Sequence, residues 1–361
     1  MKKILIVVGT RPNFIKITQF KRLAVSHKIE VKIVHSGQHY DNKMATVFFE
    51  QFKMFPDFYL DISSSSPNTQ IAETMLGLEK LFTEYRPDLI LVVGDVNSTL
   101  AGALTANKMN LKLAHIESGL RSNDYTMPEE INRIITDKIS DYCFITENSG
   151  IQNLLNEGKT LQQLFKVGNT MIDTMVAYEN EIDSSEILEK HNLRPNDFVL
   201  MTMHRPANVD YKDGLHKIIE LIQLIIKDRK IIFPIHPRTR KRIDDLHLTS
   251  LFQNENLILT EPLDYFSFQK LVKTSKYIVT DSGGIQEEST FRKKPCLTFR
   301  ANTERPSTIE EGTNTLMEFD VNEVKKYIFQ IEKGIYKTGR VPELWDGNAT
   351  ERIIKKIVEI L

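Results

Sequence analysis

The chain has 361 residues, enough for two domains at roughly 100–200 residues each. Lys+Arg is 47 against Asp+Glu 48, a formal net charge of −1, so no large positive field serves a nucleic-acid module, although a small anion needs only a few local donors. The 41% hydrophobic and 26% charged residues can build a sizeable core, and two cysteines, Cys143 and Cys296, exclude a disulfide framework or a Cys-rich zinc site.

Met1-Lys2-Lys3 leads into an apolar run over 4–8, shorter than a secretory core of about 7–15 residues. No run approaches the roughly 18 residues of a spanning helix. A cytoplasmic protein that engages neither membrane nor nucleic acid is expected. Strand-length apolar runs then recur at 31–34, 89–93 and 111–116, and 63–66 before Pro67 reads as a surface loop. The Ala/Leu-rich stretch 98–109 reads as a helix between two of those strands, a βαβ unit whose strands are parallel. Continuous rather than alternating apolarity predicts a sheet covered on both faces.

Near Gly168-Asn169-Thr170 the pattern restarts, with a helix from Met171. Strands are predicted at 198–203, 230–235, 257–259 and 277–280, and helices at 214–226, 266–274 and 285–291. The fold class is therefore α/β, with two doubly wound, Rossmann-like domains facing a central cleft. The boundaries are 1–170 and 171–345, followed by a helix over 346–361 with a stripe of Ile353, Ile354, Ile357, Val358 and Leu361.

Ligands of such sheets bind beyond the carboxyl ends of the strands. In the first half these ends carry Gly9-Thr10-Arg11-Pro12 with Lys16, Gly94-Asp95, and Glu117-Ser118-Gly119. Arg11 at a helix start suits an anion. Asp95 and Glu117 leave adjacent parallel strands at one edge, and Glu129 and Glu130 follow Pro128. Grouped carboxylates suit proton transfer near neutrality; helix capping and salt bridges to Arg121 or Arg133 are the alternative. In the second half the ends carry His204-Arg205-Pro206, His236-Pro237-Arg238 and Asp281-Ser282-Gly283-Gly284, a diphosphate pocket in the making. Carboxylates in one half and anion binders in the other fit a nucleotide-diphosphate sugar. G-x-G-x-x-G, P-loop, G-x-S-x-G and H-E-x-x-H motifs do not occur, and neither a cofactor nor a metal is expected.

Gly9-Thr10-Arg11-Pro12 with Lys16, Gly94-Asp95, the run His115 to Arg121, Pro128 to Arg133, His204-Arg205 and the run Asp281 to Glu288 resemble, in order, the non-hydrolysing UDP-N-acetylglucosamine 2-epimerases. The resemblance implies a glycosyltransferase-B-like fold whose C-terminal helix returns to the first domain, and a homodimer that interconverts UDP-GlcNAc and UDP-ManNAc for surface polysaccharide synthesis. It further implies anti elimination of UDP to a bound 2-acetamidoglucal, then re-addition with the proton delivered to the opposite face of C2. By motif match Asp95, Glu117, Glu130 and His204 are catalytic. Arg11, Lys16, His204, Arg205, His236, Ser282, Gly283 and Gly284 hold the diphosphate end, and Glu288 the ribose.

Two stretches depart from the family pattern, Asn13 after Arg11-Pro12 and Pro206-Ala207-Asn208-Val209-Asp210 after Arg205. Some members bind a second UDP-GlcNAc as an activator. Gln38-His39, Arg205 and His236 match parts of that site while Tyr40-Asp41-Asn42 does not, which argues against such activation. A hydrolysing epimerase, an epimerase of another UDP-2-acetamido sugar such as a diacetamido uronic acid, a glycosyltransferase and a non-catalytic UDP-sugar sensor are the competing readings.

Overall fold

The structure is a computed structural model that describes residues 1–37, 48–63 and 66–361. The sequence readings on Gln38, His39, Tyr40, Asp41 and Asn42, and on Ser64 and Ser65, lie outside the described residues. Contacts divide the chain into two compact units, Met1–Ala177 with Glu343–Leu361, and Tyr178–Pro342.

In the first unit, strands β1 (Lys2–Val8), β2 (Ile29–His35), β3 (Phe58–Tyr59), β4 (Leu89–Val93), β5 (Leu113–Ser118), β6 (Tyr142–Ile145) and β7 (Leu164–Lys166) form a parallel sheet in the order β3-β2-β1-β4-β5-β6-β7. The second unit holds β8 (Phe198–Thr202), β9 (Lys230–Pro234), β10 (Leu257–Thr260), β11 (Tyr277–Thr280), β12 (Cys296–Phe299) and β13 (Asn314–Met317), parallel in the order β10-β9-β8-β11-β12-β13. Ile4, Leu5 and Ile6 of β1 and all five residues of β4 are inaccessible to solvent, as both-face coverage requires.

Strand order reverses direction between β1 and β4 in one sheet and between β8 and β11 in the other. At such a switch point the connections leave to opposite faces, opening a crevice beyond the carboxyl ends of the two strands. In the first unit that crevice falls at Gly9–Arg11 and Gly94-Asp95. In the second it falls at His204-Arg205 and Asp281–Gly284.

The division of the chain lies at 177/178 and 342/343, where the sequence reading placed it at 170/171 and 345/346. The helix Thr170–Ala177 stays with the first unit because its polar face is tied there. Thr174 Oγ1 bonds the Ile15 carbonyl, and it lies 2.6 Å from Thr18 Oγ1. Asp173 accepts from the backbone N–H of Ala349 (3.0 Å) and Thr350 (2.5 Å), capping the terminal helix Ala349–Ile360 and holding it on this unit. Gly168 (φ +92°) lets the returning strand of chain pass, since a Cβ there would overlap the Leu344 carbonyl. Trp345, 2% exposed, donates Nε1–H to the Thr146 carbonyl at 3.1 Å. Trp345→Phe should cost about 1–2 kcal/mol, the lost hydrogen bond plus a small cavity, read as a lower urea midpoint with unchanged slope.

Candidate functional site

The β1 switch-point loop is built around Asn13. Its Oδ1 accepts from Gly9 N (3.3 Å), Thr10 N (3.2 Å) and Thr10 Oγ1 (3.0 Å), while its Nδ2 donates to the Val93 carbonyl at the end of β4 (2.9 Å). One neutral amide thus ties the two strand ends together. Arg11 opens the short helix Arg11–Ile15, and Lys16, buried just beyond it, pairs with the Glu117 carboxylate.

Glu117 is 3% exposed and sits at a register shift between Ile116 and Ser118, with φ at +70°. A β-bulge re-aims a side chain, and a non-glycine residue in the left-handed region stores backbone strain that its surroundings must hold. Gly94 (φ +68°) leaves the space open in front of these groups: a Cβ there would lie 3.4 Å from Asn13 Nδ2, 3.5 Å from Lys16 Nζ and 3.9 Å from Glu117 Oε2.

Asp95 and Glu130 meet through Arg133, a fully buried guanidinium on the helix Pro128–Ile139. Arg133 Nη2 bonds the Asp95 carboxylate, and its Nη1 lies 3.6 Å from Glu130 Oε2. Asp95 keeps about a quarter of its side chain exposed (24%), whereas Glu130 is buried and engaged. Glu130 Oε2 accepts from the N–H and hydroxyl of Ser122, both at 2.9 Å, and Oε1 from Asn123 N at 3.1 Å. Glu130 therefore anchors the 122–123 loop, and Asp95 and Glu117 are the carboxylates at the strand ends.

In the second unit Asp281, at the end of β11 and inaccessible to solvent, organises the crevice. It accepts from His204 N (3.0 Å), Arg205 N (2.9 Å) and Asn208 Nδ2 (3.0 Å), and its Oδ1 lies 2.9 Å from His204 Nδ1. Burial alone would raise the Asp281 pKa, but His204 and these donors outweigh it and hold the carboxyl below its usual range. With Nδ1 engaged, His204 presents Nε2. Its ring stands 5.5 Å from that of His236, whose Nδ1 accepts from Arg238 N. Arg238, read above with the diphosphate pocket, instead forms a two-pronged pair with Asp210, at 2.9 and 2.5 Å.

Ser282 caps the helix Gly283–Phe291 without a side-chain bond to its first turn. Arg300, 7% exposed, faces that end: its Nη1 lies 3.3 Å from where a Gly283 Cβ would sit and has no hydrogen-bond partner among the described residues. Burial, with the neighbouring Arg205 and Arg305 cations, holds the Arg300 guanidinium below its usual pKa against the opposing pull of Glu304. Helix N–H groups with the Arg300 and Arg305 guanidinium groups beside them suit an anion, while Glu304, whose Oε1 lies 3.3 Å from the same point, and Glu287 offset part of that charge. Beside this helix end opens a cavity of about 290 Å³, lined by Leu263, Phe268, Ile285, His204, His236 and Ser282. Glu288, one turn along the helix from Gly284, is buried, and its pKa is pushed up to about 8. Burial is the main cause and Glu287 adds to it, while Gln269 and Arg292 oppose.

Sequence reasoning did not name Arg300; it named Asp281 in the diphosphate run, Arg133 as a salt-bridge partner and Asn13 as a departure from the family pattern, without the contacts that give each its task. Their signal lay in position, since Asp281 and Asn13 border the strand ends, but their role depends on contacts that spacing does not encode. Among the described residues no group of three metal-capable side chains forms a cluster, and no helix is long and apolar enough to cross a membrane.

Two doubly wound units with these groups at their switch points place the protein in the glycosyltransferase-B-like class. The family model of UDP-N-acetylglucosamine 2-epimerase matches residues 21–358. The chain is 41% identical over 328 residues to the UDP-N-acetylglucosamine 2-epimerase of Methanocaldococcus jannaschii, covering 87% of this chain and 88% of that one. The crystal structure of the Methanocaldococcus jannaschii enzyme with UDP-GlcNAc and UDP superimposes with a TM-score of 0.89 at 38% identity, covering 99% of each chain. The UDP-2,3-diacetamido-2,3-dideoxy-D-glucuronate 2-epimerase of Pseudomonas aeruginosa is 37% identical over 320 residues, 87% of this chain and 88% of its own. The chain belongs to the UDP-N-acetylglucosamine 2-epimerase family.

Proposed function

We propose that the chain is a non-hydrolysing UDP-GlcNAc 2-epimerase that interconverts UDP-GlcNAc and UDP-ManNAc. What supports this reading is that a member of this family carries carboxylates at the switch point of one unit and, separately, helix N–H and cationic groups beside an apolar cavity at the switch point of the other. The C2 hydrogen of the sugar has no neighbouring carbonyl to acidify it, so direct abstraction to a carbanion is too unfavourable. In the elimination route a carboxylate takes the C2 proton while the C1–O bond breaks, the electron pair leaving with UDP and a C1=C2 double bond forming. Re-addition delivers a proton to the opposite face of C2 and a UDP oxygen to C1, so atoms and electrons balance without a redox partner.

In this reading Asp95 and Glu117 work as acid and base at C2, and Glu130 supports them through Arg133 and the 122–123 loop. Arg11, Lys16, His204, Arg205, Ser282, Gly283 and Gly284 hold the diphosphate, with Arg300 behind Gly283. His236 and the apolar cavity take the nucleoside, and Glu288 the ribose. The enzyme works as a cytoplasmic homodimer supplying a surface-polysaccharide precursor. Likeness to the Pseudomonas aeruginosa relative favours one second reading, epimerisation of a UDP-diacetamido uronic acid.

Proton NMR in D₂O tests both. Deuterium at C2 together with UDP-ManNAc formed from UDP-GlcNAc is expected. Free ManNAc would mean hydrolysis, and label entering only the diacetamido uronate would favour the second substrate.

A further inference from the structure

Two fully buried, ionisable side chains in the first unit have no place in the chemistry above. His115 lies on β5, with Nδ1 2.7 Å from Asp137 Oδ1 and Nε2 2.7 Å from the Gly94 carbonyl. Asp137, on the helix Pro128–Ile139, uses its second oxygen to accept from Gly119 N (3.0 Å) and Arg121 Nη1 (2.8 Å). A carbonyl and an ionised carboxylate can only accept, so the ring carries a proton on each nitrogen. Burial alone would raise the Asp137 pKa, but His115 and Arg121 outweigh it and keep the carboxyl below its usual range.

We propose that His115 and Asp137 are a positioning pair that fixes both Asp95 and Glu117, a role that rests on the acid/base reading of those two carboxylates. The link to Asp95 runs through its turn, where side chains hold three successive carbonyls. Val93 O is held by Asn13 Nδ2 (2.9 Å) and Thr99 Oγ1 (2.7 Å), Gly94 O by His115, and Asp95 O by Asn132 Nδ2 (2.9 Å). His115 is the charged donor of that set, and its bond is shorter than those of the two amide donors, Asn13 and Asn132. The link to Glu117 runs through the bulge. One oxygen of Asp137 holds the ring of residue 115 and the other the backbone of residue 119, so a single carboxylate brackets the strained Glu117 (φ +70°) and fixes the left-handed turn at Gly119 (φ +80°). A buried ion pair is weak support for stability, because desolvation offsets its attraction; a fixed geometry for two reacting groups gives it a use.

The test uses the full chain with Asp137→Asn, His115→Asn and His115→Gln, read by deuterium entry at C2 of UDP-GlcNAc and by calorimetry of UDP. Asparagine reproduces the Nδ1 donor toward Asp137, and glutamine the Nε2 donor toward Gly94. Asp137→Asn and His115→Asn should lose roughly 30- to 100-fold in kcat, with KM and UDP affinity held within about threefold. His115→Gln should regain at least about fivefold over His115→Asn, because the Gly94 bond returns. A ¹⁵N spectrum of the unmodified enzyme, with the His115 signals identified by their selective loss in folded His115→Gln, should show both ring nitrogens protonated. A single protonated nitrogen, kcat within about threefold of the parent in both Asp137→Asn and His115→Asn, or rate and UDP affinity falling together would each overturn the pair's role. Label absent from the unmodified enzyme would sink the reading of Asp95 and Glu117 and this role with it. Label present but undiminished in the variants would sink this role alone.

Discussion

Replacement of Glu117 by glutamine is expected to lower the rate of C2 proton exchange and epimerisation by about 10³-fold, within the range for loss of a positioned acid or base. Glutamine keeps the length and planarity of the side chain, so the bulge at Ile116/Ser118 has the same group to hold. The capacity to take and return a proton is lost, together with the charge that faces Lys16. Binding should move the other way or not at all. Glu117 is the carboxylate paired with Lys16, and removing its charge leaves that ammonium's field free for a diphosphate. UDP affinity by calorimetry should therefore hold or tighten while kcat collapses, a split that unfolding would not produce. A variant that keeps more than about a tenth of parental kcat would remove Glu117 from the acid/base pair.

Such a prediction needs the structure, because the sequence shows strand ends more clearly than contacts. The runs at 89–93 and 277–280 become β4 and β11 with unchanged limits, since both strands are buried on both faces and continuous apolarity is their signature. The helix read at 98–109 spans Asn97–Lys108. Five strands, β3, β6, β7, β12 and β13, escaped notice. Each has only two to four residues, and Cys296–Phe299 or Asn314–Met317 mixes polar with apolar side chains too briefly to show a period. The nineteen-residue helix Pro67–Tyr85 also went unread, though Ser66 caps it at Thr69 N and Pro67 opens it.

The candidate site divides the same way. Residues directly after apolar runs, such as Asp95, His204 and Ser282, could be picked out because doubly wound sheets put ligands there. Asp281 stood beside them in the sequence, yet only its bonds to His204, Arg205 and Asn208 give it a task. The neighbours of Glu130 suggested proton transfer, and its contacts with Ser122 and Asn123 add a tie to the 122–123 loop that spacing does not show.

Glu288 should make the protein progressively less stable from about pH 4.5 to above pH 8, and Glu288→Gln should abolish that component. In the unfolded chain the carboxyl ionises near its ordinary value of 4.5, while in the folded protein burial and Glu287 push it up to about 8. Below pH 4.5 both states are protonated and the group contributes fully. As pH rises the unfolded state sheds its proton first, so stability falls, and the loss is complete once pH passes the folded value. Integrated over that window the effect is roughly 3–5 kcal/mol. Urea denaturation should accordingly find Glu288→Gln close to the parent at pH 5 and more stable by roughly that amount at pH 9. All other titrating groups are shared, so the difference between the two pH curves isolates this one. A constant difference across pH would place the folded pKa near 4.5 and remove the premise. A protein gains nothing structural from a carboxyl that weakens it above neutrality; in the ribose-binding role proposed for Glu288 the neutral acid has a use. It can donate to one ribose oxygen and accept from the other hydroxyl without setting a second negative charge against the phosphates.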